Sequence, residues 1–411
     1  MVRFIWFSLG AALLFFNLRL YAPSPLPQSR SDVPPGILAQ LASSRVALGS
    51  DAPQKMQSLF PEGYYFSHLL YGLTWIEVAM RDPSYRDQAL EEAKWVHDKL
   101  CSPEGKAPFP ASLPPDHGMF YSAWKCHLQA GIVAIAPDNE TERHQLREEC
   151  DAISAALTNS RTPFLPSYVG TAWPCDSVPA IHALKTYDRI TGESRYQQVI
   201  ANWLAEAQQR VDKDTGLLPH MASLPDGRNV SEARGTSQMV MLRMLPDIDP
   251  VFAAKQYTAF RPRYLNQFLG IPAVREYPTG MDGVGDVDSG PLIFGNSLSS
   301  TVMMVGVAQI YGDSTRANAM AQVGETIGLP WTQNGRKFYM GGALPLGDII
   351  VSYSYIARTW FSDREHITDT PLPLSRWWRW QVHALSTIWF VPFLPALFQR
   401  RKQKHSELKN T

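Results

Sequence analysis

The sequence predicts an all-α protein, an (α/α)6 toroid or barrel with membrane-anchoring helices at its N- and C-termini. Three observations carry this prediction. Apolar residues recur at helical spacing along most of the chain, with almost no strand-like alternation. The helices arrive two by two, with long polar or glycine-rich loops entering alternate members. Both ends carry apolar runs bordered by basic residues.

At the N-terminus the run Phe4–Phe16 follows Arg3, and no clear small-residue cleavage site succeeds it. That favours an uncleaved signal anchor over a removed signal peptide. At the C-terminus Trp377, Trp378 and Trp380 open an aromatic border. Val382 to Phe398 is mostly apolar, and Arg400, Arg401, Lys402 and Lys404 follow. An aromatic belt at one end and basic charge at the other predict a transmembrane helix with a cytoplasmic tail. An amphipathic surface helix is the alternative. Five segments follow: an anchor over 1–22, a stalk and first helix over 23–54, the enzyme domain over 55–376, a C-terminal transmembrane helix over 377–399 and a basic tail over 400–411. Both ends would then lie in the cytoplasm and the main domain outside it, in a periplasm or lumen.

Between the anchors, Pro and Ser over 22–38 predict a stalk. Helices are expected over Ile37–Leu48, His68–Met80, Tyr85–Leu100, Met119–Ile135, Glu140–Leu157, Asp176–Ile190, Tyr196–Val211, Gly235–Leu245, Pro250–Phe260, Pro291–Tyr311, Ser314–Ile327 and Ala343–Trp360. Inner helices would carry small and aromatic residues, and outer helices the charged ones. A solenoid of helical hairpins would share the local pattern, but no strict period demands it.

Composition narrows the function classes. The 411 residues are 45% apolar with a formal net charge of zero, and no basic block suits nucleic acid. With 12 Trp, 16 Tyr and 18 Phe, rings are available for packing or for the wall of a ligand site. Cys101, Cys126, Cys150 and Cys175 lack zinc-type spacing. They either pair in an extracytoplasmic compartment or fill small buried sites. The triplets beginning at Asn139 and Asn229 match glycosylation acceptors. No cofactor or metal is called for.

The stretch Val169–Asp188 organises the candidate chemistry, because a Gly/Trp/Pro approach delivers Cys175 and Asp176 to the start of an apolar-faced helix. If Asp176 or Ser177 caps that helix, its N-terminal field favours a Cys175 thiolate. Otherwise Asp176 is only a cap and Cys175 only fills space. A second group, Gly283 to Pro291, offers Asp286 and Asp288, which share a direction if the backbone is extended. A third brings His220, Glu232 and Arg234, with His220 able to exchange protons near neutrality. A fourth places Phe120, Trp124 and His127 at i, i+4 and i+7 on one helix face. Tyr65, His68, Tyr121, Trp173 and Asp348 are further candidates for a substrate wall or hydroxyl contact. Core packing and capping remain the plain alternative for each.

At Phe120-Tyr121-Ser122-Ala123-Trp124-Lys125-Cys126-His127 and Pro174-Cys175-Asp176 the chain resembles the linalool dehydratase/isomerase family over roughly residues 55–360. The resemblance implies an (α/α)6 barrel and dehydration or rearrangement of a hydroxylated terpene. It also implies a cysteine role for Cys175, a histidine role for His127 and a hydroxyl-handling role for Tyr65. Ala123 stands where the family pattern carries methionine, and no cysteine follows Cys175. The expected activity is an extracytoplasmic acid–base enzyme, a dehydratase- or isomerase-like lyase, acting on a hydroxylated, partly apolar organic molecule. A glycoside hydrolase or polysaccharide lyase acting on a glycan is the alternative enzyme, and a membrane-tethered envelope module the non-catalytic one. Expected partners are the small molecule or glycan and membrane lipid at both termini, with no nucleic acid and with oligomerisation left open.

Overall fold

The structure is a computed structural model that describes residues 2–362, 374, 377–389 and 391. Sixteen helices run in chain order among these residues: α1 Val2–Arg19, α2 Pro35–Leu48, α3 Ala52–Leu59, α4 Gly63–Arg81, α5 Arg86–Cys101, α6 Pro103–Lys106, α7 Gly118–Ile135, α8 Glu140–Thr158, α9 Pro174–Thr191, α10 Gln197–Gln209, α11 Gly235–Ile248, α12 Pro250–Tyr264, α13 Leu298–Ile310, α14 Ser314–Ile327, α15 Pro345–Tyr355 and α16 Trp380–Ile388.

Two kinds of helix follow from two kinds of pattern. In α4 nearly every residue from Gly63 to Ala79 is buried, as suits a helix apolar all round. In α5 only Ala89, Ala93, Val96 and Leu100 are buried, one stripe at helical spacing, so its other face is solvated. The first kind forms an inner ring. Helices α4, α7, α9, α11, α13 and α15 each pack on the next, and α15 closes on α4. Behind them lie α5, α8, α10, α12, α14 and α2. Each outer helix returns the chain, so the inner helices run parallel. Their N-termini therefore gather at one end of the ring and their C-termini at the other.

Short strands interrupt the helical pattern. Strands β1 Leu265–Phe268, β2 Ile271–Arg275 and β3 Asn296–Ser297 form an antiparallel sheet, and β4 Trp331–Gln333 pairs with β5 Arg336–Phe338. The helix expected from Pro291 begins instead at Leu298, where Ser297 accepts a hydrogen bond from the Ser300 N–H. Gly290 and Gly295, at φ 65° and 76°, break the segment before it.

The termini correct the fold expectation. Among the described residues no helix is long and apolar enough to cross a membrane. Helix α1 contains Arg3, Asn17 and Arg19 within its 18 residues, and its last turn is tied to the body. Asn17 donates to Ser386 at 2.8 Å, and Arg19 donates to the Glu325 carbonyl at 2.6 Å. Helix α16 has 9 residues. The remainder of the expected C-terminal span and the basic tail lie outside the described residues. The membrane contact expected through the termini rested on these anchors. The stalk is likewise packed on the ring, since Leu26 is buried and Arg81 donates to the carbonyls of Ser29 and Arg30.

Candidate active site

Five elements meet at the N-terminal end of the inner ring. Glu62 precedes α4, and the strap 166–168 lies against the start of α7. Cys175 and Asp176 occupy the first turn of α9, Arg234 precedes α11, and the turn Asp286–Ser289 lies before α13. Two glycines set these approaches. A side chain on Gly118, which sits at φ 84°, would meet the Ser167 carbonyl at 2.6 Å; one on Gly235 would meet the Arg275 carbonyl at 2.4 Å. Only glycine lets the backbones come so close.

Asp176 accepts a hydrogen bond from Ser167 Oγ, and Cys175 Sγ donates to its other oxygen at 3.7 Å. It does not cap α9. Trp173 holds the N-cap position without a side-chain bond, and Pro174 starts the helix. Burial raises the Asp176 carboxyl to about 7, with Ser167 opposing and the charges of Asp288 and Glu62 adding to the rise. Glu62, raised by its own burial, accepts from the Tyr168 hydroxyl.

Asp288 has the same tendency by a different route. Its side chain is exposed on the turn, with neighbouring protein close enough to desolvate it in part. That partial desolvation, with the charges of Asp286 and Glu62, raises it to about 7. Among the described residues no group hydrogen-bonds its carboxyl; only its backbone carbonyl is engaged, by Ser299 Oγ at 2.6 Å. Glu62, Asp176 and Asp288 thus form one mutually repelling group. Like charges at close range cannot all ionise together.

Around this group lies a second layer of charge. Arg234 donates to Asp286 at 2.6 Å and lies 5.0 Å from the Tyr277 ring centroid; Glu232 stands 3.8 Å from its Nε. Burial opposes ionisation of Asp286, but bonds from Ser289 and the Arg234 charge outweigh it and hold this carboxyl below its usual range. His220 pairs with Ser237 at 2.5 Å. Burial first, then the Arg234 charge, depress its imidazole to about 4, so it is neutral at pH 7. Glu276 is fully buried and holds the start of α11 through Thr236 and Ser300.

Several candidates from the sequence lie elsewhere. Against the expected Cys175 thiolate, burial and then the Asp176 charge push this thiol well above its ordinary range. Asp286 and Asp288 lie on a turn rather than an extended run, so their carboxylates diverge. His127 lies midway down α7, in a small cavity with Glu77, His182, Arg243, Asp247 and Trp360. Its ring stacks on Trp360 at 4.6 Å and meets His182 edge-on at 4.8 Å. His182 follows Cys175 by seven residues, which places that cavity about 10 Å down the helices. Tyr65 is fully buried and donates to the Tyr121 carbonyl at 2.7 Å; Tyr121 donates to the Leu100 carbonyl at 3.3 Å. His68 bonds the Tyr64 carbonyl and faces Trp95 on α5. Asp348 accepts from the Tyr339 N–H at 3.2 Å, apart from the cluster.

Aromatic side chains flank the carboxyl group. Trp173 is half-buried and meets Tyr168 edge-on at 5.7 Å. Half-buried Phe66 lies against Phe120 at 5.2 Å and Trp124 at 5.7 Å. Among the described residues, no group of three or more His, Cys, Asp or Glu side chains is arranged to hold a metal ion. Glu62, Ser167, Tyr168, Ser237 and Glu276 were not singled out as site residues by sequence reasoning. Glu62 carried one available signal, an acid directly before an inner-helix start.

No protein-family model matches this chain, and no curated protein matches it. Among solved structures a polysaccharide lyase is similar, at 14% sequence identity and a TM-score of 0.45, over 76% of this chain and 96% of that one.

Proposed function

We propose that the protein is an acid–base enzyme, a lyase or isomerase that removes or moves a hydroxyl group on a partly apolar organic molecule. The observation that carries this reading is the meeting of Glu62, Asp176 and Asp288, with two of the three carboxyls raised to about 7. Such groups both give and take protons near neutrality, and a positioned proton transfer is worth roughly 10²–10⁴-fold in rate.

In this reading Asp288, protonated and unpartnered, donates to the departing hydroxyl, which leaves as water. Asp176 in its ionised form, oriented by Ser167, accepts the proton from the adjacent carbon as the double bond forms. Both carboxyls then return to their starting states by exchange with solvent. Glu62 holds negative charge beside them and so keeps a proton shared among the three. Cys175 stays a thiol and donates to Asp176. Trp173, Phe66 and Phe120 supply apolar contact for the carbon skeleton. The family resemblance makes a tertiary allylic alcohol the first substrate to try.

The test is incubation of the protein with allylic terpene alcohols in deuterated water, with products read by gas chromatography and mass spectrometry. Alkene or rearranged alcohol carrying deuterium, absent with Asp176→Asn and Asp288→Asn, supports the reading. Product from an acidic glycan, with none from any alcohol, replaces it with the polysaccharide alternative. Turnover of neither class removes the proposed reaction.

A further inference from the structure

A separate cluster on the outside of the ring carries a second inference. Cys101 is the last residue of α5 and the only one of the four cysteines that is not buried. One helical turn earlier on the same face lies His97, whose Nδ1 and Nε2 are 3.9 and 4.0 Å from Cys101 Sγ. The sulfur therefore lies within 4.0 Å of both ring nitrogens, close to an imidazolium's positive charge. Glu149 on α8 approaches His97 Nε2 at 3.4 Å and accepts from Lys125 on α7 at 3.0 Å. Gln145 also contacts His97, at 3.1 Å. Tyr121 on α7 completes the surround of the sulfur, and buried Tyr65 on α4 lies behind it.

These groups have opposing effects on the thiol. Burial and the C-terminal end of α5 both disfavour a thiolate. Against them stand the charges of His97 and Lys125. Burial likewise disfavours a charged His97, but Cys101 and Glu149 outweigh it and raise the imidazole to about 9. The balance favours a thiolate–imidazolium pair, and the Cys101 thiol lies below its ordinary range. A partly accessible cysteine beside a histidine held by a carboxylate is the environment of a reactive thiol. The other three thiols differ. Cys126 and Cys150 are sealed against each other at 3.6 Å, and Cys175 is buried beside Asp176.

We propose that Cys101, paired with His97 and Glu149, is a peroxide-reactive modification site distinct from the carboxyl cluster. The thiolate attacks one oxygen of hydrogen peroxide, forming an S–O bond as the O–O bond breaks. The departing hydroxide takes the proton of the His97 imidazolium and leaves as water. Sulfur is oxidised by two electrons to a sulfenic acid, and the peroxide is reduced. His97 then regains a proton from solvent.

The experiment treats the full-length protein with equimolar hydrogen peroxide at pH 7, traps sulfenic acid with dimedone and maps the adduct by peptide mass spectrometry. A single adduct at Cys101 is expected, with a rate nearly flat from pH 6.5 to 8 and lowered about tenfold in His97→Gln. Glu149→Gln, which leaves the imidazole in place, should give a smaller loss in the same direction. An adduct confined to other cysteines, or a Cys101 rate that climbs tenfold per pH unit through this range, overturns the proposal. The wild-type pH profile decides the matter even if His97→Gln does not fold.

Discussion

Asp286 and Asp288, two residues apart on one turn, stand in opposite electrostatic states. Asp286 is bonded to Arg234 at 2.6 Å and held below the usual carboxylate range. Asp288 has no partner for its carboxyl among the described residues, faces Glu62 and Asp176, and is raised to about 7. Two carboxyls whose surroundings push them apart in this way divide into a fixed anion and an exchangeable acid. Asp286 therefore positions Arg234, and Asp288 is available for chemistry.

Neutralising Asp288 or Asp176 should abolish most turnover while neutralising Asp286 acts through position. Asp288→Asn and Asp176→Asn are each expected to lower kcat by roughly 10²–10⁴-fold. Cys175→Ser should lower it by less than about tenfold, because the thiol only donates to Asp176. Steady-state kinetics on the first alcohol found to react will check the order. Equal losses at Cys175 and Asp176 would restore a direct role for the sulfur.

The raised carboxyls also predict how stability depends on pH. Asp176 and Asp288 keep protons in the folded protein that the unfolded chain releases at its ordinary value near pH 4, roughly. Their contribution is fully present below that value and is lost as pH rises to about 7. Asp288→Asn removes the penalty. It should raise the melting temperature relative to wild type at pH 8, with little gain at pH 4. An equal gain at both values would show that Asp288 has an ordinary carboxyl.

Ser167 stabilises the ionised form of Asp176 by donating to it. Ser167→Ala should therefore move the Asp176 titration above 7. The limb of the pH–rate profile that requires ionised Asp176 shifts upward with it. A downward shift would mean that Ser167 serves the protonated form.

Below the carboxyl cluster, Arg243 on α11 donates to both oxygens of Glu77 on α4 at 2.9 and 2.8 Å, and each side chain is 3% exposed. Arg243 also lies 3.6 Å from the Tyr353 ring centroid on α15. Removing one partner strands a buried charge, so Glu77→Gln should cost about 3–5 kcal/mol in urea unfolding. Glu77→Leu with Arg243→Met together should recover most of that loss. A double variant worse than either single one would contradict the pairing.

The sequence was most informative about which loops matter. Cys175, Asp176, Arg234 and Asp288 all lie in glycine- or proline-marked entries to apolar helices, and backbone chemistry makes those entries readable. Depth along a helix was not readable. The spacing of Phe120, Trp124 and His127 identifies a face, yet His127 lies midway down α7, below the carboxyl cluster. Neighbours on a helix also point in different directions: Tyr65 packs against Tyr121, whereas Phe66 is half-exposed beside Phe120. Ser167 and Tyr168 matter through Asp176 and Glu62, and the 106-residue separation of Tyr168 from Glu62 leaves no local signal. The N-terminal anchor failed because its apolar run ends in Asn17 and Arg19, whose polar ties hold it to the body.

The most direct test is a carboxyl-carbon NMR titration of the aspartate-labelled protein, recorded for wild type, Asp176→Asn and Asp288→Asn. Three aspartate signals are expected to titrate near pH 7, those of Asp176, Asp288 and the distant Asp348; each variant removes one of the first two, and the other moves down as a neighbouring charge is removed. If Asp176 and Asp288 titrate at the ordinary value near 4, roughly, or if either variant leaves its partner unmoved, the shared-proton cluster at the N-terminal end of the ring does not exist.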